Sequence, residues 1–216
     1  MVSACLLGEN CKYDGGNNLD EELKTYLEDK EVIPVCPEVM GGLPVPRTPS
    51  EIRNGVVVNQ KGDIVDKEFR TGAQKTLELA LREHPDLVVL KSRSPSCGVK
   101  QHYDGFFSGT LIDGPGITAQ LLVEHGFSVM EAEDMGDAFV KIDLHGLTQD
   151  EAMKVIDRAL ADAGPTTYQL QLIHGYNRGT RLRSMIYDEY KYEPKIKRIV
   201  PGDNPGITVM VLKELY

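Results

Sequence analysis

The chain contains no tryptophan, and aromatic residues make up only 6% of its 216 positions. No apolar run approaches the roughly 20 residues that a membrane-spanning helix needs, so no membrane partner is expected. The start, where acidic Glu9 closely follows Leu6-Leu7, lacks the basic region and long apolar stretch of a secretory leader, and a cytoplasmic location is the expectation. Internal repeats and low-complexity tracts are absent, which excludes repeat arrays. Cysteine is also sparse: four residues. In a reducing compartment so few cysteines read as metal ligands or reactive thiols, not as a disulfide framework.

What is present is their placement. Cys5 ends Met1-Val2-Ser3-Ala4-Cys5, Cys36 ends Val32-Ile33-Pro34-Val35-Cys36, and Cys97 follows Leu87-Val88-Val89-Leu90 through Ser94-Pro95-Ser96-Cys97-Gly98. Each run is short, apolar and strand-like, and the carboxyl ends of parallel strands are where open α/β sheets build their sites. Three thiolates at one such edge form an incomplete ligand set, which leaves one metal position for a substrate. Cys36 and Cys97 sit in Pro/Gly loops, not in the apolar stripes expected of buried structural cysteines.

Charge divides the chain. Residues 1–135 carry 13 Lys and Arg against 22 Asp and Glu, whereas residues 136–216 carry 11 of each. The expectation is two domains, 1–135 and 136–216, meeting at the polar stretch Glu131-Ala132-Glu133-Asp134-Met135-Gly136. In the first, apolar runs at 1–5, 31–36, 87–91 and 127–130 alternate with helix-like segments near 19–29, 68–84 and 116–125. Asp20 and Thr118 are candidate caps, and 55–65 reads as a hairpin turning at Lys61-Gly62. The alternation predicts an α/β, Rossmann-like domain with a mostly parallel sheet flanked by helices. The second part predicts a small α/β unit. A strand at Phe139–Asp143 precedes a helix from Thr148 to about Ala163, capped by the Thr148/Glu151 box and apolar at Ala152, Val155, Ile156, Ala159 and Leu160. A strand at 168–173, a helix near 179–191 and strands near 196–200 and 207–212 follow.

Three blocks of the first part resemble the family catalogued as the domain of unknown function DUF523, which includes thiouracil desulfidases. They are Val2–Gly8 with Lys12-Tyr13-Asp14-Gly15-Gly16, then Cys36–Leu43 with Pro46–Ile52, then Ser92–Gly98 with Tyr103-Asp104-Gly105. The resemblance implies a [4Fe-4S] cluster held by Cys5, Cys36 and Cys97, with one iron open to the sulfur of a thiolated nucleobase or nucleotide. It further implies Glu38 as proton shuttle and Ser96 as the residue orienting substrate or water, both catalytic. Thiolates suit such clusters, and an open iron is a Lewis acid for a soft sulfur ligand. Arg47 is a candidate substrate-binding residue, its planar fork of donors suited to a carbonyl, phosphate or cluster edge. Asp14 and Asp104, each before Gly, are turn residues, and Gly114-Pro115-Gly116 reads as a helix entry whose amides also suit an anion. Cys11 leaves two outcomes open: as a fourth ligand it would close the centre. Zinc on the same three thiolates plus water is an allowed alternative.

In the second part, Asp143-Leu144-His145-Gly146 and His174-Gly175-Tyr176-Asn177-Arg178-Gly179 with Arg181-Leu182-Arg183 resemble the paired signatures of the Smr (small MutS-related) domain. That resemblance implies nucleic-acid binding, RNA or DNA, with cleavage in some members. Asp143, His145 and His174 offer acid–base or metal-assisted chemistry, while Gly175 allows close phosphate approach and Arg178, Arg181 and Arg183 supply positive charge. Asn177 stands where the family pattern has a second Gly. The competing reading of the whole chain is a nucleic-acid-binding protein or endonuclease whose first domain is a redox sensor or scaffold.

Overall fold

The computed structural model describes every residue except 29, 165–166, 176–179 and 214–216, and the side chain of 137. The described chain divides into two compact units, Met1–Glu133 and Asp134–Leu215. Asn177, Arg178 and Gly179 lie outside the described residues.

The first unit opens with β1 (Val2–Ser3), a 3-10 turn at Ala4–Leu7 and α1 (Glu21–Tyr26). Next come β2 (Pro34–Val35), the one-turn helix α2 (Pro37–Met40), the pair β3 (Ser50–Arg53) and β4 (Val56–Asn59), and α3 (Asp66–Glu83). It closes with β5 (Val88–Leu90), the pair β6 (Gln101–Tyr103) and β7 (Leu111–Asp113), α4 (Ile117–Glu124) and β8 (Val129–Glu131). Strands β2, β1, β5 and β8 form a parallel sheet in that order. Val88, Val89 and Leu90 are all buried, as short apolar strands covered on both faces must be. On α3, Phe69, Ala73, Leu77 and Ala80 recur at helical spacing and are all buried. Leu77 and Ala80 pack with Val35, Leu90 and Leu122 in the main core, whereas Phe69 joins Ile52 and Val57 in a second.

Two glycines let α2 lie against α3. A Cβ on Gly41 would meet the Glu68 carbonyl oxygen at 2.1 Å, and one on Gly72 would meet that of Pro37 at 1.9 Å. This contact fixes the short helix that follows Cys36.

The second unit has α5 (Met135–Ala138), β9 (Phe139–Asp143), α6 (Gln149–Asp162), β10 (Gln169–Ile173), α7 (Arg181–Tyr190), β11 (Arg198–Pro201) and β12 (Ile207–Val211). Its sheet order is β11-β12-β10-β9, with β9 and β10 parallel and the other pairs antiparallel. Ala152, Ile156 and Leu160 of α6 pack on Leu170, Leu172 and Ile186. The capping box forms: Glu151 N–H donates to Thr148 Oγ1, and Thr148 N–H donates to Glu151 Oε2 at 2.9 Å.

The α/β expectation holds in both units, with local corrections. Asp20 caps α1 by accepting the Leu23 N–H at 2.9 Å, but Thr118 is no cap: Gly116 takes that place and Thr118 is fully buried. The main hairpin runs over Ser50–Asn59 through Asn54-Gly55. The expected 55–65 pairing survives only as a bridge between Val58 and Ile64. Val155 is exposed, since it falls at the edge of the apolar stripe.

Candidate functional site

The chain leaves β1, one of the sheet's two inner strands, for β2 on one side and later for β5 on the other. That reversal of strand order is where an open α/β sheet leaves a crevice at its carboxyl edge. Cys5 lies two residues beyond β1, Cys36 one beyond β2 and Cys97 in the loop after β5. All three, together with Cys11, line one cavity of about 590 Å³.

Each thiol has a distinct environment. Hydrogen bonding to the Cys11 thiol lowers the Cys5 thiol to about 6, aided by Asn18 and the charge of Lys91 against the effect of burial. The same Cys11 contact lowers Cys36 to about 7, and the Val39 N–H at the start of α2 contributes. Cys11 is itself pushed upward by its hydrogen bonds to Cys36 and Cys5. Burial pushes Cys97 upward too. Cys11 thus sits between two thiolate-prone neighbours, and its carbonyl accepts from the Cys36 thiol and from Arg47 Nη1 at 3.0 Å.

Glu38 occupies the first turn of α2 behind Pro37. Its Oε2 accepts from Arg47 Nε at 2.7 Å, and the two side chains are only 16% and 7% exposed. Arg47 is therefore engaged by the protein, and both it and the Glu38 it binds line the cavity. The Ser94 hydroxyl stands 3.5 Å from Glu38 Oε1. Ser94 Oγ also accepts the N–H groups of Ser96 and Cys97 at 3.1 and 3.0 Å, so it organises the cysteine loop. Ser96 does not reach the cavity: it is fully buried, its hydroxyl 2.8 Å from that of Thr118. The repeated Ser-x-Ser pattern conceals which hydroxyl faces the site, because the direction is set by α4.

That helix start binds the loop and not an anion. Ile117 and Thr118 N–H donate to the Pro95 and Ser96 carbonyls at 2.9 Å each, and Gly116 N–H donates to Gly98 O at 2.8 Å. A Cβ on Gly116 would come within 2.7 Å of the Ser94 and Ser96 carbonyl oxygens, so only glycine admits this approach. Glu131 completes the hold, accepting the Val99 N–H at 2.9 Å. At the cavity edge Lys91 Nζ donates to Ser92 Oγ at 2.6 Å and contacts Glu133 at 3.2 Å, and the Ser92 hydroxyl donates to Glu133. None of Ser94, Glu131 and Lys91 was singled out by sequence reasoning, although Ser94 lay within the third block. Asp14 and Asp104 serve as turn residues, accepting the N–H groups of Gly16 and Phe106 at 2.9 Å each.

A family model for 2-thiouracil desulfurase matches residues 1–134. The chain belongs to the 2-thiouracil desulfurase family. The uncharacterized protein YbbK of Bacillus subtilis (strain 168) is 36% identical over 147 residues, 63% of this chain and 97% of that protein. The solved structure of the [4Fe-4S]-dependent thiouracil desulfidase TudS superposes with a TM-score of 0.60 at 38% identity, covering 63% of this chain and 91% of that one. An Smr-domain model matches residues 142–211. The Smr domain of Thermus thermophilus MutS2 is 29% identical, covering 34% of this chain and 96% of that one, with a TM-score of 0.31.

In the desulfurase domain the donor set fits an iron–sulfur cluster by its chemistry: soft thiols alone, on one cavity, two of them shifted toward thiolate. Among the described residues, no three His, Cys, Asp or Glu side chains gather as they would around a single metal ion.

In the Smr domain, Asp143 Oδ1 accepts both the His145 N–H at 2.9 Å and its Nδ1 at 2.7 Å, on an exposed surface. These bonds hold the Asp143 carboxyl below its ordinary range. Gly175, at φ +71°, lies so near that a Cβ would meet the His145 ring at 2.8 Å. His174 is occupied: its ring nitrogens lie 2.8 Å from Gly175 O and 2.9 Å from the Thr208 hydroxyl. Arg181 and Arg183 are exposed on the first turn of α7. Among the described residues, no helix is long and apolar enough to cross a membrane.

Proposed function

We propose that residues 1–134 form a [4Fe-4S]-dependent desulfidase that replaces the sulfur of a thiolated nucleobase or nucleotide with oxygen. The observation that carries this reading is the gathering of Cys5, Cys36 and Cys97 on one cavity that Glu38, bound by Arg47, also lines. Cys5, Cys36 and Cys97 would hold the cluster, which when bound supplies an open iron as a Lewis acid for a soft sulfur ligand. Cys11 then remains a thiol beside two ligands. Net hydrolysis converts C=S and water into C=O and hydrogen sulfide. Glu38 accepts a proton from the attacking water and returns it to the departing sulfur, with Ser94 aligning the water by hydrogen bonding. Arg47 keeps the Glu38 carboxylate in one orientation throughout. Arg93 at the cavity wall offers charge complementary to a nucleotide phosphate.

Anaerobically purified protein should contain iron and sulfide, absorb broadly near 400 nm, and release sulfide from 2-thiouracil. Absence of both iron and sulfide sinks the cluster. A cluster without sulfide release, from 2-thiouracil or any thiolated nucleoside or nucleotide, sinks the activity.

The Smr domain is assigned to nucleic-acid binding, RNA by preference, through Gly175, Arg181 and Arg183 with Arg178. The Asp143–His145 pair favours an acid–base role in phosphodiester cleavage, with His174 shaping the loop. Comparing wild type with His145→Ala on RNA and on nicked DNA tests this. Equal binding and equal cleavage by both proteins overturn it.

A further inference from the structure

A thiolated pyrimidine is a flat, polarizable ring, and a cavity that holds one needs a flat apolar wall as well as ligands for its sulfur. Phe107 lines the cysteine cavity and packs in neither core described above. Its backbone is costly. Phe107 has φ +54°, a left-handed conformation that bulky side chains avoid, and such strain persists only where its surroundings enforce it.

The enforcement comes from β3. Glu51 Oε2 accepts the N–H groups of both Gly105 and Phe107 at 2.9 Å. Arg53 Nε donates to Gly105 O at 2.6 Å. Residues two apart on a strand share a face, so Glu51 and Arg53 clamp one loop while Ile52 between them enters the core. The clamp separates two consecutive phenylalanines. Phe106 is 66% exposed, with the Arg53 guanidinium 5.0 Å from its ring, and Phe107 goes to the cavity.

We infer that Phe107 is the stacking face for the base, held in a strained backbone by Glu51 so that its ring forms one wall of the substrate position. This rests on the desulfidase reading for the identity of the base. Stacking on an aromatic ring tolerates different bases, because each has a π-face. Phe107 therefore sets affinity for flat heterocycles, and the cluster site sets the demand for sulfur.

The test compares Phe107→Leu, Phe107→Ala and Phe107→Tyr with wild type, at matched iron content and folding. Leu and Ala should raise KM for 2-thiouracil about tenfold, a change of about 1.4 kcal/mol, with kcat within about threefold, and Tyr should restore KM. A KM for Phe107→Leu equal to that of wild type overturns the inference, since leucine fills space without a π-face.

Because the chain has no tryptophan, Phe107→Trp provides a second readout that needs no turnover. Its emission should be quenched by uracil and by 2-thiouracil, and that of Phe106→Trp should not. Absence of quenching in Phe107→Trp overturns the inference independently. If wild type releases no sulfide, the desulfidase reading falls, and uracil quenching still decides whether a base stacks on this residue.

Discussion

Among single residues, Glu38 and Arg47 carry the sharpest consequences. Glu38→Gln keeps the shape and one hydrogen-bond acceptor but removes the base, so sulfide release should fall at least about 100-fold with iron content unchanged, measured by sulfide assay and metal analysis. Arg47→Ala leaves a largely buried carboxylate without its partner, and chemical denaturation should show a loss of about 3 kcal/mol. Arg47→Lys should not restore activity, because an ammonium cannot reproduce the Nε and Nη1 contacts to Glu38 and Cys11. Cys11→Ser should keep its iron, whereas Cys5→Ser, Cys36→Ser and Cys97→Ser should each lose it. Iron loss in Cys11→Ser would mean four ligands and a closed centre.

At the level of elements, α2 depends on the glycine contact with α3. Gly72→Ala drives a methyl group into the Pro37 carbonyl, and displacing α2 moves both Cys36 and Glu38. We expect a stability loss of about 3 kcal/mol and reduced iron content, read by denaturation and metal analysis. In the second unit Thr148→Ala should cost about 1 kcal/mol. The Thr148 N–H, then its hydroxyl, hold the Glu151 carboxyl below its ordinary range. This contribution is complete at neutral pH and disappears as pH falls through the folded-state value, so the Thr148→Ala penalty should shrink in acid. These elements also mark how far the sequence could be read. The parallel strands and long helices were legible because apolar runs and helical periodicity are local signals. The capping box was legible from two residues. The Ser50–Asn59 hairpin is not told apart in sequence although Asn54-Gly55 is a strong turn signal, because the run Val56-Val57-Val58 fits a hairpin closing at Lys61-Gly62 equally well. Ser94 was missed, and Ser96 preferred to it, because no local signal says which serine α4 turns away from the cavity. Likewise no pattern in sequence shows that Arg47 meets Glu38; only the fold brings them together.

On the scale of the whole molecule, two units each have their own core, and the described residues that line the cavity all belong to the first. His145→Ala should therefore leave sulfide release from 2-thiouracil within about twofold of wild type while changing RNA binding or cleavage, measured side by side on one preparation. The strand order β2-β1-β5 has a further consequence for how the protein is made. The sheet receives the inner strand β1 first, the edge strand β2 some thirty residues later, and the second inner strand, β5, only with Val88–Leu90. Domains emerge from the ribosome amino terminus first. On the proposed assignment, a nascent chain that has not yet delivered Cys97 presents two of the three cysteines proposed to hold the cluster, too few to retain one. Loading of the proposed cluster would thus have an earliest moment, set by topology: after the Ser94–Gly98 loop docks on the start of α4, and without waiting for the second unit to be synthesised.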